Sequence, residues 1–294
     1  MKKYPKSTPF FLDMEDEFAA AENARYVLLP VPYDGTSTFV KGADRGPQAI
    51  IEASDSLELY DVVYGVEAYT AGIHTDSTVA ENARTPDEMV EAVYARASHW
   101  MAQGKCVGLL GGEHSVSEGA IRAALEKYPD LTVLQIDAHA DLRDEYHGSP
   151  HNHACVMRRA QTLGARVVQV GIRSVAEEER HNIVDDNIYY AHQIAGQDPR
   201  WMESVCARLT PHVYLTIDLD GFDPSVLPAT GTPLPGGLGW YEVTALLDRL
   251  FRQKNVVAFD VVELCPQPEN VVSDVLAASL VYKVITLNEF YNKL

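Results

Sequence analysis

Short apolar segments alternate with longer helical patterns along all 294 residues, and this alternation restricts the possible folds more than any other feature. Several segments are nearly continuous apolar runs, which is typical of strands buried on both faces of a parallel sheet. The six segments span residues 26–31, 106–110, 131–136, 167–170, 213–217 and 256–259. Because strands and helices alternate from end to end, we predict an α/β fold with a mainly parallel sheet, in one domain covering residues 1–294.

Helix signals lie between the predicted strands. Thr-Pro-Asp-Glu at 85–88 combines a capping threonine, a first-turn proline and a glutamate three residues after the cap. This pattern predicts a helix that runs to about residue 103 and stops at Gly104. Ser115 and Glu118 have capping-box spacing and predict a second helix start. The other clear helices are predicted at residues 240–253 and 273–291.

Composition excludes several classes of function. Lys and Arg number 24 against 42 Asp and Glu, a formal net charge of −18, so we expect no binding to a nucleic-acid backbone. Hydrophobic residues make up 46 % of the chain, as in folded globular proteins. No apolar run approaches the roughly 18–20 residues of a membrane span, so no membrane partner is expected.

Cysteine usage and the start of the chain bear on cellular location. The four cysteines contain no CxxC pair, which argues against a structural zinc site or a dense disulfide framework. We expect them to be free thiols: Cys106, Cys155, Cys206 and Cys265. Residues 1–18 lack the long apolar stretch of a signal peptide. A cytoplasmic protein is therefore predicted.

Acidic residues and histidines follow three of the predicted strands. The strand 131–136 is followed by Asp137, His139 and Asp141, at alternate positions with alanines between them. Alternate side chains of an extended segment share a face, so these three are expected to converge. The same spacing relates Asp218 and Asp220 after strand 213–217, and Glu113 and His114 follow strand 106–110. In parallel sheets, ligands bind at the carboxyl ends of strands, which is where these residues lie.

Such closely packed carboxylates would repel one another, and divalent metal ions would remove that repulsion. Four aspartates carry −4 and two divalent ions carry +4, while histidines complete the coordination without changing the charge. Ligands that are mostly oxygen, with some imidazole, suit Mn²⁺. The identity of the metal also depends on supply, so Fe²⁺, Co²⁺ and Zn²⁺ remain alternatives.

Together these motifs resemble the ureohydrolase family of arginases and agmatinases, and most of all the agmatinases. The similarity spans about residues 26–290, nearly the whole chain. The resembling motifs are PVPYDGTSTFVKGADRGPQAI at 30–50, GGEHS at 111–115, DAHAD at 137–141, SPHNHACVMRR at 149–159, DLDGFDPSVLPATGTPLPGGL at 218–238 and VVELCP at 261–266. The resemblance implies a three-layer α/β/α fold with about eight mainly parallel strands. It also implies hydrolysis of a guanidino compound to urea and an amine.

The resemblance further implies a metal centre of two Mn²⁺ per subunit. Asp137 and Asp218 are expected to bridge the two ions. Asp141 should bind the ion of His114, and Asp220 the ion of His139. The six expected metal ligands are His114, Asp137, His139, Asp141, Asp218 and Asp220. Assembly into a homotrimer or homohexamer is expected on the same ground.

Roles in catalysis are carried over from the same motifs. A two-metal site lowers the pKa of a bound water and supplies a hydroxide, which attacks the guanidinium carbon. Asp141 is expected to receive the proton of the nucleophile, and His153 to protonate the leaving amine. Glu263 and Thr232 are expected to hold the guanidinium group together with His153. Glu113 is expected to orient a metal ligand.

The loop after DAHAD bears on which guanidine is bound. It lacks the asparagine that arginases carry two residues after the final aspartate, so we favour agmatine, a small cation that is cleaved to putrescine and urea. Asp144 or Glu145 would face its amine, whereas Arg143 would instead suit a carboxylate tail. His147 and His151 are interpreted as solvated, with a role at the pocket mouth as the alternative.

Other activities remain open at this point. Arginine, guanidinobutyrate or a larger agmatine conjugate is the alternative substrate. A metal-dependent deacetylase and a catalytically silent family member are alternatives of a different kind. Since no expected ligand is missing from the sequence, a silent member is not favoured.

Overall fold

An eight-stranded sheet runs through the computed structural model, which describes residues 10–291. All its neighbouring strands are parallel, in the order β2-β1-β3-β8-β7-β4-β5-β6. The strands are β1 (Tyr26–Val31), β2 (Ile73–Thr75), β3 (Cys106–Gly111), β4 (Thr132–Ile136), β5 (Arg166–Ile172), β6 (Ile188–Tyr190), β7 (His212–Asp218) and β8 (Asn255–Val262). The prediction of an α/β fold with about eight parallel strands is confirmed.

All six strands predicted from the sequence are present, with ends that shift by three residues or fewer. Sequence analysis missed β2 and β6, which lie at the two edges of the sheet. Each contains only three residues, which is too short to show an apolar run or a period of two.

Helices cover both faces of the sheet and complete three layers. The helices α2, α7, α8 and α9 pack on one apolar core, and α3, α4 and α5 pack on the other. The α-helices of the described residues are α1 (Asp16–Ala19), α2 (Gly46–Ser54), α3 (Pro86–Ala102), α4 (Ser117–Lys127), α5 (Val156–Thr162), α6 (Ala191–Ile194), α7 (Arg200–Arg208), α8 (Trp240–Gln253) and α9 (Val272–Tyr291). Strands covered on both faces explain why their sequences are almost uninterrupted apolar runs.

A helix begins close to the predicted place, but the predicted capping box of Ser115 and Glu118 is not formed. A short 3-10 turn (His114–Val116) comes first, and α4 begins only at Ser117. The carboxylate of Glu113 caps that turn by accepting a hydrogen bond from the Ser115 N–H at 2.8 Å. The capping-box pattern was misleading because a neighbouring buried carboxylate does the capping instead.

Helix α3 begins as predicted, since the Thr85 side chain accepts a hydrogen bond from the Glu88 N–H. We expect Thr85→Ala to lower the free energy of unfolding by about 1 kcal/mol, because one N–H of the first helical turn loses its partner. Urea denaturation measures this loss, and Thr85→Ser should restore most of it. Equal stability of Thr85→Ala and the wild type would show that the cap contributes nothing.

Several predictions concern the chain as a whole. No helix within residues 10–291 is long and apolar enough to cross a membrane. The four cysteines are free thiols, as expected. The predicted absence of a signal peptide falls partly on residues 1–9, which lie outside the described residues. The single domain over 1–294 stays a prediction, because it includes those residues and the last three.

Candidate active site

Four neighbouring strands in the middle of the sheet, β3, β8, β7 and β4, end at one cavity of about 330 Å³. Their carboxyl ends carry the polar motifs that the sequence places after each strand. Asp137 is fully buried and lies 3.1 Å from the ring of His114, which lines the cavity. The expected site residues that line the cavity are His114, His139, Asp141, His153, Asp218, Asp220, Thr232 and Glu263. The structure therefore brings all the expected site residues together.

His114 faces three carboxylates. Its Nδ1 lies 3.1 Å from Asp137 Oδ2, 3.0 Å from Asp141 Oδ2 and 3.3 Å from Asp218 Oδ2. This nitrogen is buried and makes no hydrogen bond of acceptable geometry. A ring nitrogen and three carboxylate oxygens that point at one another across such short distances are suited to hold a cation.

The opposite ring nitrogen of His114 determines which tautomer is present. Thr216 Oγ1 donates its hydrogen to Asp260 Oδ1 at 2.6 Å, so it must accept one from His114 Nε2, 2.8 Å away. Asp260 is fully buried and also accepts a hydrogen bond from Tyr214. When the His114 ring is neutral, as a metal ligand must be, its proton is therefore on Nε2, which leaves the Nδ1 lone pair free to bind a metal ion.

His139 forms a second group with Asp137 and Asp220. Its Nδ1 lies 3.0 Å from Asp220 Oδ2 and 3.7 Å from Asp137 Oδ1. Two sets of residues have donor atoms close enough to hold a metal ion: His114 with Asp137 and Asp218, and Asp137 with His139 and Asp220. Because Asp137 belongs to both sets, the arrangement fits a binuclear metal site.

Backbone N–H groups hold these carboxylates in place. Asp137 Oδ1 accepts from the His139 N–H at 2.6 Å, and Asp218 Oδ1 from the Asp220 N–H at 2.8 Å. Asp218 thus caps the turn after β7 with one oxygen and points the other at His114. The backbone of Asp141 has φ of +53°, so this residue reaches the cluster through a left-handed turn and not through extended backbone alone.

The crowding of charges perturbs the acid–base properties of the site. Burial, together with the charges of Asp220 and Asp137, raises the pKa of Asp218 well above its ordinary value. Burial and the Asp137 charge raise the pKa of Asp141 to about 7. Burial alone would lower the pKa of His139, but Asp220 and Asp137 raise it to about 12. Divalent cations would relieve this repulsion between the carboxylates.

The three residues expected to bind substrate lie around the metal ligands. Glu263 Oε1 accepts a hydrogen bond from the His114 N–H at 2.8 Å, and its backbone has φ of +66°. Thr232 Oγ1 donates to Asp220 Oδ2 at 3.0 Å. Burial lowers the pKa of His153 to about 4, so its ring is neutral at pH 7. Their contacts with a guanidinium group stay a prediction.

The outer wall of the cavity differs from the expected charge pattern. Arg143 lines it, but its guanidinium is paired with Glu178 and lies 4.4 Å from the centre of the Tyr146 ring. Neither Asp144 nor Glu145 is among the described residues that line the cavity. The two acidic residues of the loop after DAHAD therefore do not line the cavity.

Other residues of the same region point away from the cavity. Asp144 lies on the surface and pairs with Arg158 at 2.7 Å. His147 is exposed, as expected. His151 is only partly exposed, since its Nδ1 lies 2.8 Å from Glu118 Oε2.

Sequence reasoning missed several residues that position the site. Gln135 donates to Asp137 Oδ2 at 2.7 Å, and Thr216 and Asp260 fix the ring of His114. Each of these is a polar residue inside an apolar strand, and that pattern is a signal that was available in the sequence. Glu113 was expected to orient a metal ligand, but its side chain binds Thr36 and the Ser115 N–H instead.

Comparisons with known proteins agree with this geometry. The sequence model of the arginase family matches residues 24–286. The N(1)-aminopropylagmatine ureohydrolase of a Synechocystis species is 40% identical over 96% of this chain and 95% of its own. The agmatinase of Pyrococcus horikoshii is 34% identical over 94% of this chain and 96% of its own.

A solved structure shows the same architecture. The agmatine ureohydrolase of Thermoplasma volcanium superimposes with a TM-score of 0.84 at 33% identity, covering 96% of this chain and 97% of that one. The family match, the relatives and the two metal-binding sets of residues lead to one conclusion. The chain is a metal-dependent ureohydrolase and belongs to the arginase family.

Proposed function

We propose that the protein hydrolyses the guanidino group of an agmatine-type polyamine to urea and an amine. N(1)-aminopropylagmatine, which would give spermidine, is the first candidate substrate, and agmatine, which would give putrescine, is the second. The observation that carries this proposal is that the guanidinium group of Arg143 is already paired within the protein. Arg143 is the one lysine or arginine among the described residues that line the cavity, and Glu178 and Tyr146 already hold it.

A guanidino acid fits this cavity less well. Arginine and guanidinobutyrate carry a carboxylate on the tail, and a buried or half-buried carboxylate needs a cationic partner. The charge of Arg143 is already compensated by Glu178, which weakens its pairing with a second carboxylate. A tail that carries ammonium groups requires no cationic partner, and the net charge of −18 favours the approach of cations.

The longer conjugate is placed ahead of agmatine because of the relatives. The relative that is 40% identical is named for N(1)-aminopropylagmatine, while the agmatinase is 34% identical. This ranking replaces agmatine as the first choice and keeps the same reaction. Both substrates present the same guanidinium group to the metal centre and differ only at the tail.

We propose that two Mn²⁺ ions occupy the site. One ion would be held by His114, Asp137, Asp141 and Asp218. The other ion would be held by His139 and Asp220, and Asp137 would be shared between the two sets. Bound divalent ions acidify water, so that hydroxide is available at neutral pH. Oxygen-rich ligation with one imidazole for each ion suits Mn²⁺.

The protein residues orient the guanidinium group and move protons. Glu263 keeps one oxygen on the His114 N–H, which leaves the other oxygen to pair with the guanidinium. Attack of water oxygen on the central carbon forms a C–O bond, and cleavage of the C–N bond to the tail leaves urea. Both protons of the water end on the leaving amine. Asp141 is placed to take the first proton, and a neutral His153 accepts a proton before it gives one to the amine.

Urea release from Mn²⁺-loaded protein tests the proposal. We expect kcat/KM to be highest for N(1)-aminopropylagmatine, lower for agmatine, and at least about 100-fold lower for arginine and guanidinobutyrate, since an unpaired buried charge costs several kcal/mol. A preference for a carboxylated guanidine would overturn the substrate assignment. Absence of urea from all four would favour the deacetylase or silent-member alternatives, and acetylpolyamine turnover would separate these two.

Assembly and location are proposed on the family resemblance. We propose a homotrimer or homohexamer, and sedimentation of a monomer would contradict it. The four free thiols accord with a cytoplasmic location.

A further inference from the structure

A loop of residues 34–42 passes beside the cavity and is anchored by Glu113. The Glu113 side chain is fully buried. Its Oε1 accepts hydrogen bonds from Thr36 N–H at 3.1 Å and from Thr36 Oγ1 at 2.8 Å. Its Oε2 accepts from the Ser115 N–H at 2.8 Å. A buried carboxylate with both oxygens occupied in this way holds the loop in one place.

Thr36, which is held by Glu113, in turn forms a hydrogen bond with His153. Because the Thr36 hydroxyl hydrogen is donated to Glu113, its oxygen is free to accept, and it accepts from the His153 N–H at 3.0 Å. Two residues further on, Thr38 Oγ1 lies 3.5 Å from His153 Nε2. The loop therefore contacts His153 at its backbone and approaches its ring.

Hydrogen bonds within the loop join its two ends and fix its conformation. Asp34 Oδ2 accepts a hydrogen bond from the Gly42 N–H at 2.7 Å, which joins the two ends of the loop. Lys41 Nζ donates to the Asp34 carbonyl at 2.9 Å. Val40 N–H donates to the Gly231 carbonyl at 3.4 Å, next to Thr232 on the cavity wall.

We propose that Thr36, anchored by Glu113, is a positioning residue for His153; this rests on the proposed function. Residues 113–115 then organise three parts of the site. The Glu113 carboxylate holds the loop that holds His153, the His114 N–H holds Glu263, and the His114 ring belongs to the metal ligands. One turn after β3 thus sets the distance between the proton-transferring histidine and the guanidinium-binding carboxylate.

The effect on rate is expected to be large for a single hydroxyl group. Proton transfer requires the His153 ring within hydrogen-bond reach of the leaving nitrogen, and small displacements of such a group are costly. Thr36→Val keeps the shape of the side chain but removes both hydrogen bonds of the hydroxyl. We expect it to lower kcat by about 10- to 100-fold with KM and metal content unchanged.

Matched variants separate positioning from general damage. Thr36→Ser keeps the hydroxyl and should restore kcat to within about threefold, since a serine hydroxyl donates and accepts in the same way. Thr70 is exposed and its hydroxyl donates only to the nearby Glu67 carbonyl. Thr70→Val should therefore leave kcat unchanged.

A double-mutant cycle with His153→Ala provides the decisive test. If Thr36 acts through the His153 ring, Thr36→Val should cause no further loss of kcat in a protein that already carries His153→Ala. An equal loss in both backgrounds, or unchanged kcat in Thr36→Val, would overturn the proposal. Thr36→Ala, which adds no bulk, takes its place in the cycle if Thr36→Val does not fold or loads less metal. Wild-type protein that releases no urea would instead contradict the proposed function.

Discussion

Asp137→Asn should remove most of the activity together with bound metal, because Asp137 is the residue common to both sets of metal-binding side chains. The amide keeps the size of the carboxylate but has a single, neutral oxygen to offer. We expect metal content to fall below the two ions per chain proposed for the wild type. Urea release should fall by more than about 1000-fold, since without metal the pKa of water returns from about 7 toward 15.7. Metal analysis by mass spectrometry and urea assays measure both effects.

A control lies at the other end of the same strand. Asp130 lies just before β4, whereas Asp137 lies just after it. Asp130 is partly exposed and pairs with His212 at 2.8 Å on the surface. Asp130→Asn should therefore keep full metal content and activity. Chelation of the wild type should abolish urea release, and added Mn²⁺ should restore it. An Asp137→Asn variant that keeps two ions and normal kinetics would exclude this residue as a shared ligand.

Glu263→Gln should lower kcat/KM for agmatine-type substrates by at least about 100-fold while both metal ions stay bound, because the variant loses the anionic oxygen that pairs with the guanidinium. Glutamine can still accept the hydrogen bond from the His114 N–H through its carbonyl oxygen. The metal ligands are therefore expected to keep their arrangement. Steady-state kinetics and metal analysis on the same preparation separate loss of substrate binding from loss of metal.

The matched control for this variant is Glu269→Gln. Glu269 is exposed and lies six residues further along the same segment. Its replacement should not change kcat/KM. If Glu263→Gln were as active as the wild type, the guanidinium group would have to be held by other residues of the cavity. Metal loss in Glu263→Gln would indicate instead that the hydrogen bond to His114 supports the metal site.

Much of the framework was predictable from local patterns. The strand β1 and the helix α8 have the predicted ends, because a continuous apolar run and a clear 3.6-residue period need no distant partner to be recognised. The convergence of the six expected metal ligands was predictable for a related reason. Parallel strands bring their carboxyl ends to one edge of a sheet, so charged residues that follow three strands must lie near one another.

Other features depend on partners that are remote in sequence. The edge strand β6 gains its structure by pairing with β5, and its three residues carry no pattern of their own. Arg143 was a candidate to bind a carboxylate tail until the structure placed Glu178, 35 residues away, against its guanidinium. The capping group before α4 was mispredicted, because it is the buried carboxylate of Glu113 and not the hydroxyl of Ser115.

The amino-acid sequence by itself determined the α/β fold, the edge of the sheet that carries the chemistry and the residues that could bind metal ions, because each follows from short-range periodicity and the rule for parallel strand ends. Only the tertiary structure decided which atoms meet. Thr36 lies 77 residues from Glu113 and 117 from His153, yet it bonds to both. Hydrogen bonds between such distant residues form only when the completed sheet and its loops bring them together, and no local pattern encodes those distances.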